Sequence, residues 1–547
     1  MKVAVVGSGP TGVTATSALL ASGVAVDVFD VGHEPEPAAQ ALARTLRAGD
    51  LSPATLQALQ QSGPKSQQGI GAAFKLLLAR QAPASMVAKT RLGSSFTFRD
   101  VERGIPLEGH TTIPRSLARG GLSNVWGSAC YPLRPEDYTR WPVPETTMRP
   151  HFAAAAALLD LEETDDDLQH VYPLYTTPRA DLRTISQTSA SLLDRWRQHA
   201  DTLHQVGAHF GRARTAVRFH GDVAADRATD HDHDAGRVGC QRCGLCLWGC
   251  PWDAIYRSTR TWTRLEGAAG LQYRAGHLVR HVEETAAGSF VHSHERQGPY
   301  DAVFLAAGPL SSLRIAVDSL QSYDDRAPLL DNDMYLVPSF RGRLGASRGD
   351  GGAFALSEAV LSLAGAAVGG QAMHLQLYAY GEFLSRGIRA RLGGWPAALA
   401  NLPATFFEQF IVAFVYMHSD DSVRASATVV PHPEGSRIHL AAAPNPRSRP
   451  MLRRTLRLVR RHPRAFGFLP IPMAALSTTL GFSGHLCGTL PMRATPQRLE
   501  SHLDGRIEGT RALFAVDASA FPILPSQNLT YSAMANAHRI ATRFARP

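Results

Sequence analysis

An apolar stretch from Lys2 to Val6 runs directly into Gly7-Ser8-Gly9-Pro10-Thr11-Gly12, and a helix-like stretch follows to Ser22. A strand that turns on closely spaced glycines into a helix leaves few possibilities beyond a parallel α/β sheet that binds a dinucleotide. In that arrangement Gly7 permits the tight turn, Gly9 lets the backbone approach a pyrophosphate, and Gly12 lets the helix pack closely on the sheet. Pro10 and Thr11 open the helix, whose unpaired N–H groups and dipole favour the phosphate charge. Gly23 ends the helix, Val24 to Phe29 alternates like a second strand, and Asp30 stands at its end, placed to accept from a ribose hydroxyl. By themselves these residues do not separate FAD from NAD.

A chain of 547 residues is too long for one ordinary core, so at least two domains are expected. Hydrophobic residues at 44% and charged residues at 19% exclude a disordered chain. The net charge of +9 is carried almost wholly by arginines scattered among acidic residues, so it assigns no nucleic-acid partner. The sequence MKVAVVGSGP reads at once as strand and turn, which leaves no room for a secretion signal and points to a cytoplasmic protein. The most apolar region, Phe354 to Met417, is broken by Glu358, Glu382, Arg386, Arg389, Arg391 and Pro396, so no transmembrane segment is expected.

Four of the six cysteines crowd into Cys240-x2-Cys243-x2-Cys246-x3-Cys250, followed by Pro251, which is the bacterial ferredoxin spacing. Gly239, Gly244 and Gly249 would relieve crowding where the backbone approaches inorganic sulfide. The first reading is an iron–sulfur cluster, [4Fe–4S] or alternatively [3Fe–4S]. In two-cluster ferredoxins the last cysteine of such a run serves the other cluster, so Cys130 or Cys487 is an alternative ligand. Zinc is the rival occupant, although structural zinc sites usually separate two short pairs by a longer loop. His231-Asp232-His233-Asp234, just upstream, reads as a solvated polar loop.

Near the end, the apolar Leu513 to Ser519 enters a turn through Asp517, Pro522 and Pro525 to Asn528, and a helix starts at about Leu529. His485-Leu486-Cys487-Gly488-Thr489 stands upstream. These segments, with the opening glycine motif, resemble the glucose-methanol-choline oxidoreductase family, of which this chain looks like an unusual member with a ferredoxin-like cysteine run. Gly120 to Gly127, with Gly121, Ser123, Asn124 and Trp126, is similar to the family's flavin-contacting loop. Ala306-Ala307-Gly308-Pro309, after the strand Ala302 to Leu305, resembles its return to the nucleotide domain, and Val279 its adenine contact. His485 lies at the family's catalytic histidine and Asn528 at the partner position.

The resemblance implies an α/β FAD-binding Rossmann-like domain plus an α+β substrate domain with an antiparallel sheet. The expected division is 1–150 FAD-binding with a helical insertion over 34–88, then 151–235 substrate or cap segment and 236–262 cysteine loop. It continues with 263–319 FAD-binding, 320–478 substrate domain and 479–547 FAD-binding with the catalytic residues. Val423 to Leu440 reads as a hairpin of the substrate domain, and Met451 to Arg464 as a basic amphipathic helix with a solvated face.

The implied activity is an FAD-dependent alcohol dehydrogenase. Neutral imidazole at His485 takes the hydroxyl proton while Asn528 holds the substrate oxygen and hydride passes to flavin N5. The resemblance of the region from Gly120 to Trp141 to sugar-oxidising relatives tilts the expected substrate to a sugar or polyol. A cluster beside the flavin would release electrons singly to an acceptor protein or quinone. The alternatives are an oxygen-using alcohol oxidase with zinc or bare thiols in the loop, and a flavin and cluster relay or sensor without substrate turnover.

Overall fold

Lys2–Val6 forms β1, Pro10–Ala21 forms α1 and Ala25–Phe29 forms β2, with β1 and β2 parallel and in register from Lys2 opposite Ala25 to Val6 opposite Phe29. The computed structural model describes residues 1–48, 95–109, 113–161, 163–178, 185–219, 239–244, 246, 249–323, 325–341, 354–378, 409–478 and 480–546. Three distant segments complete a five-stranded parallel sheet in the order Leu513–Ala515, Ala302–Leu305, β1, β2, Leu271–Arg274. Residues 3–6, Ala302–Leu305 and Leu513–Ala515 are apolar because both faces are covered there, whereas β2 carries the buried Asp27 and the edge strand Leu271–Arg274 carries Gln272 and Arg274. Val3 and Val5 pack with Val13 and Leu19 of α1 and Ile540 of the last helix, Thr530–Ala545. Ala4 and Val6 point the other way, into the larger core with Leu310, Leu313 and Met534.

A seven-stranded antiparallel sheet forms the second layer. Its path runs Leu469–Pro470, Met334–Phe340, Phe410–Tyr416, Met373–Tyr378, Ala359–Leu363, Ala208–Arg212, and Leu476–Ser477 pairs with Met334–Phe340 off that path. Side chains alternate with period two. Ile411, Ala413 and Val415, with Met373, Leu375 and Leu377, meet the helices Gln187–Gln198 and Ser448–Arg461. Val412, Phe414 and Tyr416 face the opposite way, with Met334 and Phe482. The helix Ser448–Arg461 buries Met451, Leu452, Leu456 and Val459 and leaves Arg453, Arg457 and Arg460 in solvent, as its charge pattern predicts.

The expected hairpin is present as Arg424–Val430 paired antiparallel with Arg437–Ala443, turning at Gly435, where φ is +108°. These two strands lie between Arg326–Leu329 and Leu107–Glu108. Val279 is not within a strand: His281–Thr285 begins after it and pairs with Gly288–His292 in a separate three-stranded sheet. Of the expected insertion over 34–88, Pro37–Arg47 is helical, and residues 49–88 lie outside the described residues, as do His231 to Asp234. Among the described residues, no helix is long and apolar enough to cross a membrane.

Candidate active site

A continuous cavity of about 340 Å³ runs from the β1–α1 turn, past Gly121 to Trp126, to His485 and Asn528. At its first end the glycines separate by role. A Cβ on Gly7 would stand 2.5 Å from the Ala306 carbonyl oxygen, and one on Gly12 would stand 2.1 Å from the Gly7 oxygen, so both spaces are filled by the protein's own backbone. Around Gly9 nothing lies within 4 Å of such a Cβ, so the backbone there is open toward the cavity at the start of α1. Asp30 accepts from the Ser8 hydroxyl and, at 2.8 Å, from the Tyr273 hydroxyl, both on Oδ2. Burial raises its pKa to about 6. The Ser8 hydroxyl also accepts the Gly120 N–H at 2.9 Å, tying the loop over the cavity to the glycine turn.

His485 and Asn528 meet at the other end, with Asn528 Nδ2 3.0 Å from His485 Nε2. Behind the ring, His485 Nδ1 is 2.9 Å from Asn332 Oδ1. Asn332 Nδ2 donates to the carbonyls of Met417 at 2.6 Å and Pro525 at 3.0 Å, so its oxygen must face the imidazole. Nδ1 therefore carries the hydrogen, and the Nε2 lone pair accepts from Asn528 Nδ2 at the cavity wall. Asn528 is fixed in the same manner, since its Oδ1 accepts from Gln376 Nε2 at 2.6 Å while Gln376 Oε1 accepts from the Tyr378 hydroxyl at 3.1 Å. Asn332 thus presents an acceptor to the ring, and Asn528 presents a donor.

The histidine loop is anchored by Asp331, which accepts the Gly481 N–H at 2.6 Å and the Ser483 hydroxyl, and Ser483 Oγ accepts the His485 N–H at 2.9 Å. Tyr416 lies along the imidazole, with ring centroids 5.4 Å apart and planes at 24°. Burial lowers the His485 pKa to about 4, so the ring is neutral near pH 7. Asp517 braces the last strand to the helix Pro309–Leu320 by accepting the Gly308 N–H at 2.8 Å and the Ser312 hydroxyl at 2.6 Å.

The cysteine loop stands directly behind one cavity wall. Cys246, with Val217, Ile255 and Phe354, belongs to a cluster that includes Leu356 and packs against Trp126, and both of the latter also line the cavity. Three of the thiols accept backbone N–H groups: Cys240 from Arg242 at 3.4 Å, Cys250 from Ala254 at 3.3 Å, and Cys246 from Ala355. In iron–sulfur centres, hydrogen bonds to the sulfurs tune the reduction potential. Cys246 is raised by burial first, and Cys240, Cys250 and Cys243 are all near enough to add repulsion. Gly239, Gly244 and Gly249 have φ of +99°, +73° and +104°, and these left-handed turns wind the loop. Cys130 and Cys487, the alternative ligands, lie instead in the main core, away from this group.

Of the residues expected at the site, Gly7, Gly9, Pro10, Thr11, Asp30, Gly121, Ser123, Trp126, Val279, Ala307, Gly308, Asp517, His485 and Asn528 line the cavity. Gly12 and Asn124 do not. Gly12 serves close packing, and Asn124 staples its own loop by donating to the carbonyls of Arg119 at 3.0 Å and Gly121 at 2.8 Å. Asn332, Gln376, Ser483 and the aromatic lining Tyr378, Phe414, Tyr416 and Phe482 were not singled out by sequence, because they carry no spacing motif.

No family model matches the chain, and no curated protein matches it. Among solved structures it is similar to the crystal structure of pyridoxine 4-oxidase from Mesorbium loti, at 14% identity, over 99% of each chain, with a TM-score of 0.55. The likeness shows the fold, that of a glucose-methanol-choline oxidoreductase, and agrees with the resemblance read from the motifs.

Proposed function

We propose that the chain is an FAD-dependent oxidoreductase that oxidises the CH–OH group of a small-molecule alcohol. The observation that carries this reading is the convergence of His485 Nε2 and Asn528 Nδ2 at 3.0 Å in the cavity, with both groups locked in polarity from behind. The cradle fits FAD: an open backbone at Gly9 for the pyrophosphate, Asp30 for the ribose, and the loop from Gly121 to Trp126 along the remainder. Bound there, FAD supplies the hydride acceptor.

The protein's part is to prepare the alcohol. Asn528 donates to the substrate oxygen and holds the C–H bond in one direction. His485 Nε2 takes the hydroxyl proton as the carbonyl forms, which avoids a protonated carbonyl product. As charge develops on the ring, the Nδ1–H bond to Asn332 strengthens, and the buried setting keeps bulk water from competing. The amino terminus of the last helix follows Asn528 and lines the cavity at Thr530, where its dipole favours negative charge.

Cys240, Cys243, Cys246 and Cys250 would hold an iron–sulfur centre, which would supply a one-electron outlet to an acceptor protein or quinone. The ferredoxin spacing of the four cysteines carries this part of the reading. The neighbour's name favours a second reading, an oxidase that passes electrons to oxygen.

Replacing His485 by Ala should slow anaerobic bleaching of the flavin by alcohol by roughly a hundredfold or more, with FAD still bound. A rate near that of the parent chain would remove His485 from the role of base. Iron and acid-labile sulfide in the purified protein test the cysteine centre, and zinc in their place would refute it. Stoichiometric peroxide in air would favour the oxidase.

A further inference from the structure

We propose that the substrate is an aromatic alcohol, with its CH–OH group carried on a planar apolar ring, and not the sugar or polyol that the loop resemblance implies. The inference rests on the alcohol-oxidation reading and concerns what the second sheet offers to the cavity. Period-two alternation turns Phe414 and Tyr416 of Phe410–Tyr416, and Gln376 and Tyr378 of Met373–Tyr378, to one face, where they line the cavity with Met334 and Phe482. The Tyr378 and Phe414 rings lie 4.3 Å apart with planes at 32°, and Tyr416 continues the wall to the imidazole. Such a wall offers flat π-faces and ring edges, for which a flat ring is the matching ligand.

Its hydrogen-bonding capacity is small, confined to the Tyr378 and Tyr416 hydroxyls and one carboxamide. Gln376 contributes a carboxamide from this face, and both of its ends are engaged: Nε2 with Asn528 Oδ1 at 2.6 Å and His374 Nε2 at 3.2 Å, Oε1 with the Tyr378 hydroxyl at 3.1 Å. The charged groups that line the cavity belong to other elements and each has a partner, although Nε of Arg115 and Nε of Arg314 are buried without one. Asp30 holds Ser8 and Tyr273, Arg115 pairs with Glu102, Arg314 donates to the Gly104 carbonyl, and Asp517 holds Gly308 and Ser312. Among the described residues, the sheet places no Asp, Glu, Lys or Arg in the cavity wall.

His485 and Asn528 satisfy one hydroxyl, the one that reacts. A polyol carries a hydroxyl on nearly every carbon, and each one buried without a partner weakens binding by about tenfold or more. An aromatic alcohol needs only the one pair and fills the remainder with its ring.

The test uses the FAD-loaded full chain without oxygen. Bleaching of the flavin is followed with 4-methoxybenzyl alcohol, D-glucose and myo-inositol, and binding of the unreactive 4-methoxybenzoate is read from perturbation of the flavin spectrum. The aryl alcohol should bleach with a second-order rate constant at least ~100-fold above either polyol. Phe414→Ala should weaken 4-methoxybenzoate by about tenfold and raise the half-saturating aryl alcohol concentration more than it lowers the limiting rate. Glucose or inositol matching the aryl alcohol, or an affinity for 4-methoxybenzoate indifferent to Phe414→Ala, overturns the proposal. If no alcohol bleaches the flavin while 4-methoxybenzoate binds through Phe414, the ligand class stands and the alcohol-oxidation reading falls. If only the polyols bleach it, the reverse holds.

Discussion

Acidification asks the buried imidazole at 485 to accept a proton where nothing solvates it. Its pKa is lowered to about 4 by burial, against an ordinary 6.5. A ring with that property is still ~97% neutral at pH 5.5, whereas an ordinary histidine would be only ~9% neutral. Anaerobic flavin bleaching by an alcohol should therefore hold its rate down to pH 5 and fall only near pH 4. The same difference has a stability consequence of definite sign. The unfolded chain binds the proton more readily than the folded one, so the folded state keeps its full stability above pH 6.5 and loses it as the pH falls toward 4, by roughly 3 kcal/mol from this group. Asn332→Asp supplies the control. A carboxylate at the Nδ1 position, 2.9 Å from the ring in the parent, should raise the acid limb of the bleaching profile by about 1 to 3 pH units. Rates measured by stopped-flow from pH 4 to 9 decide the matter. A limb between pH 6 and 7 in the parent chain that Asn332→Asp leaves in place would refute both the burial argument and the role given to Asn332.

The glycine turn yields a contrast between neighbours. Gly7→Ala forces a Cβ against the Ala306 oxygen at a φ of +104° and should cost roughly 2–3 kcal/mol, seen as a lower melting temperature. Gly9→Ala meets no protein atom within 4 Å and should leave the melting temperature of the cofactor-free chain unchanged while sharply reducing FAD retained through purification. Gln376→Leu frees the Asn528 amide to rotate and should slow bleaching about tenfold or more at saturating alcohol; an unchanged limiting rate would show that Asn528 holds its orientation unaided. Cys246→Ser should lower the iron and sulfide content well below that of the parent, and full retention would place the centre elsewhere.

The nucleotide half was legible because it is local. The turn from Gly7 to Gly12 and the acid at Asp30 lie within one strand–helix–strand unit, where each residue's conformation announces its use. His485 and Asn528 were legible through a neighbouring Gly-Thr pair and a family resemblance. Asn332 and Gln376 were not, because each is an ordinary amide in a strand-rich region. Their meaning comes only from strand pairing that sets them behind the histidine and beside Asn528. Alternation along Phe410–Tyr416 could have divided its residues into two faces, yet both faces are apolar, so period two alone does not show which one meets a ligand. Asn124 does not line the cavity and staples its own loop, since sequence does not distinguish a side chain that meets a ligand from one that holds the backbone that does.

The parallel sheet draws neighbours from the start, the middle and the very end of the chain, with Leu513–Ala515 hanging on Ala302–Leu305 and β1 on its other side. A polypeptide still emerging from the ribosome therefore lacks one edge of that sheet, the Asp517 brace and the asparagine at 528 until residues 513–528 have been made. Acquisition of the nucleotide must await that segment, and a chain cut short before residue 513 would leave the translation machinery colourless however well its first two hundred residues had folded.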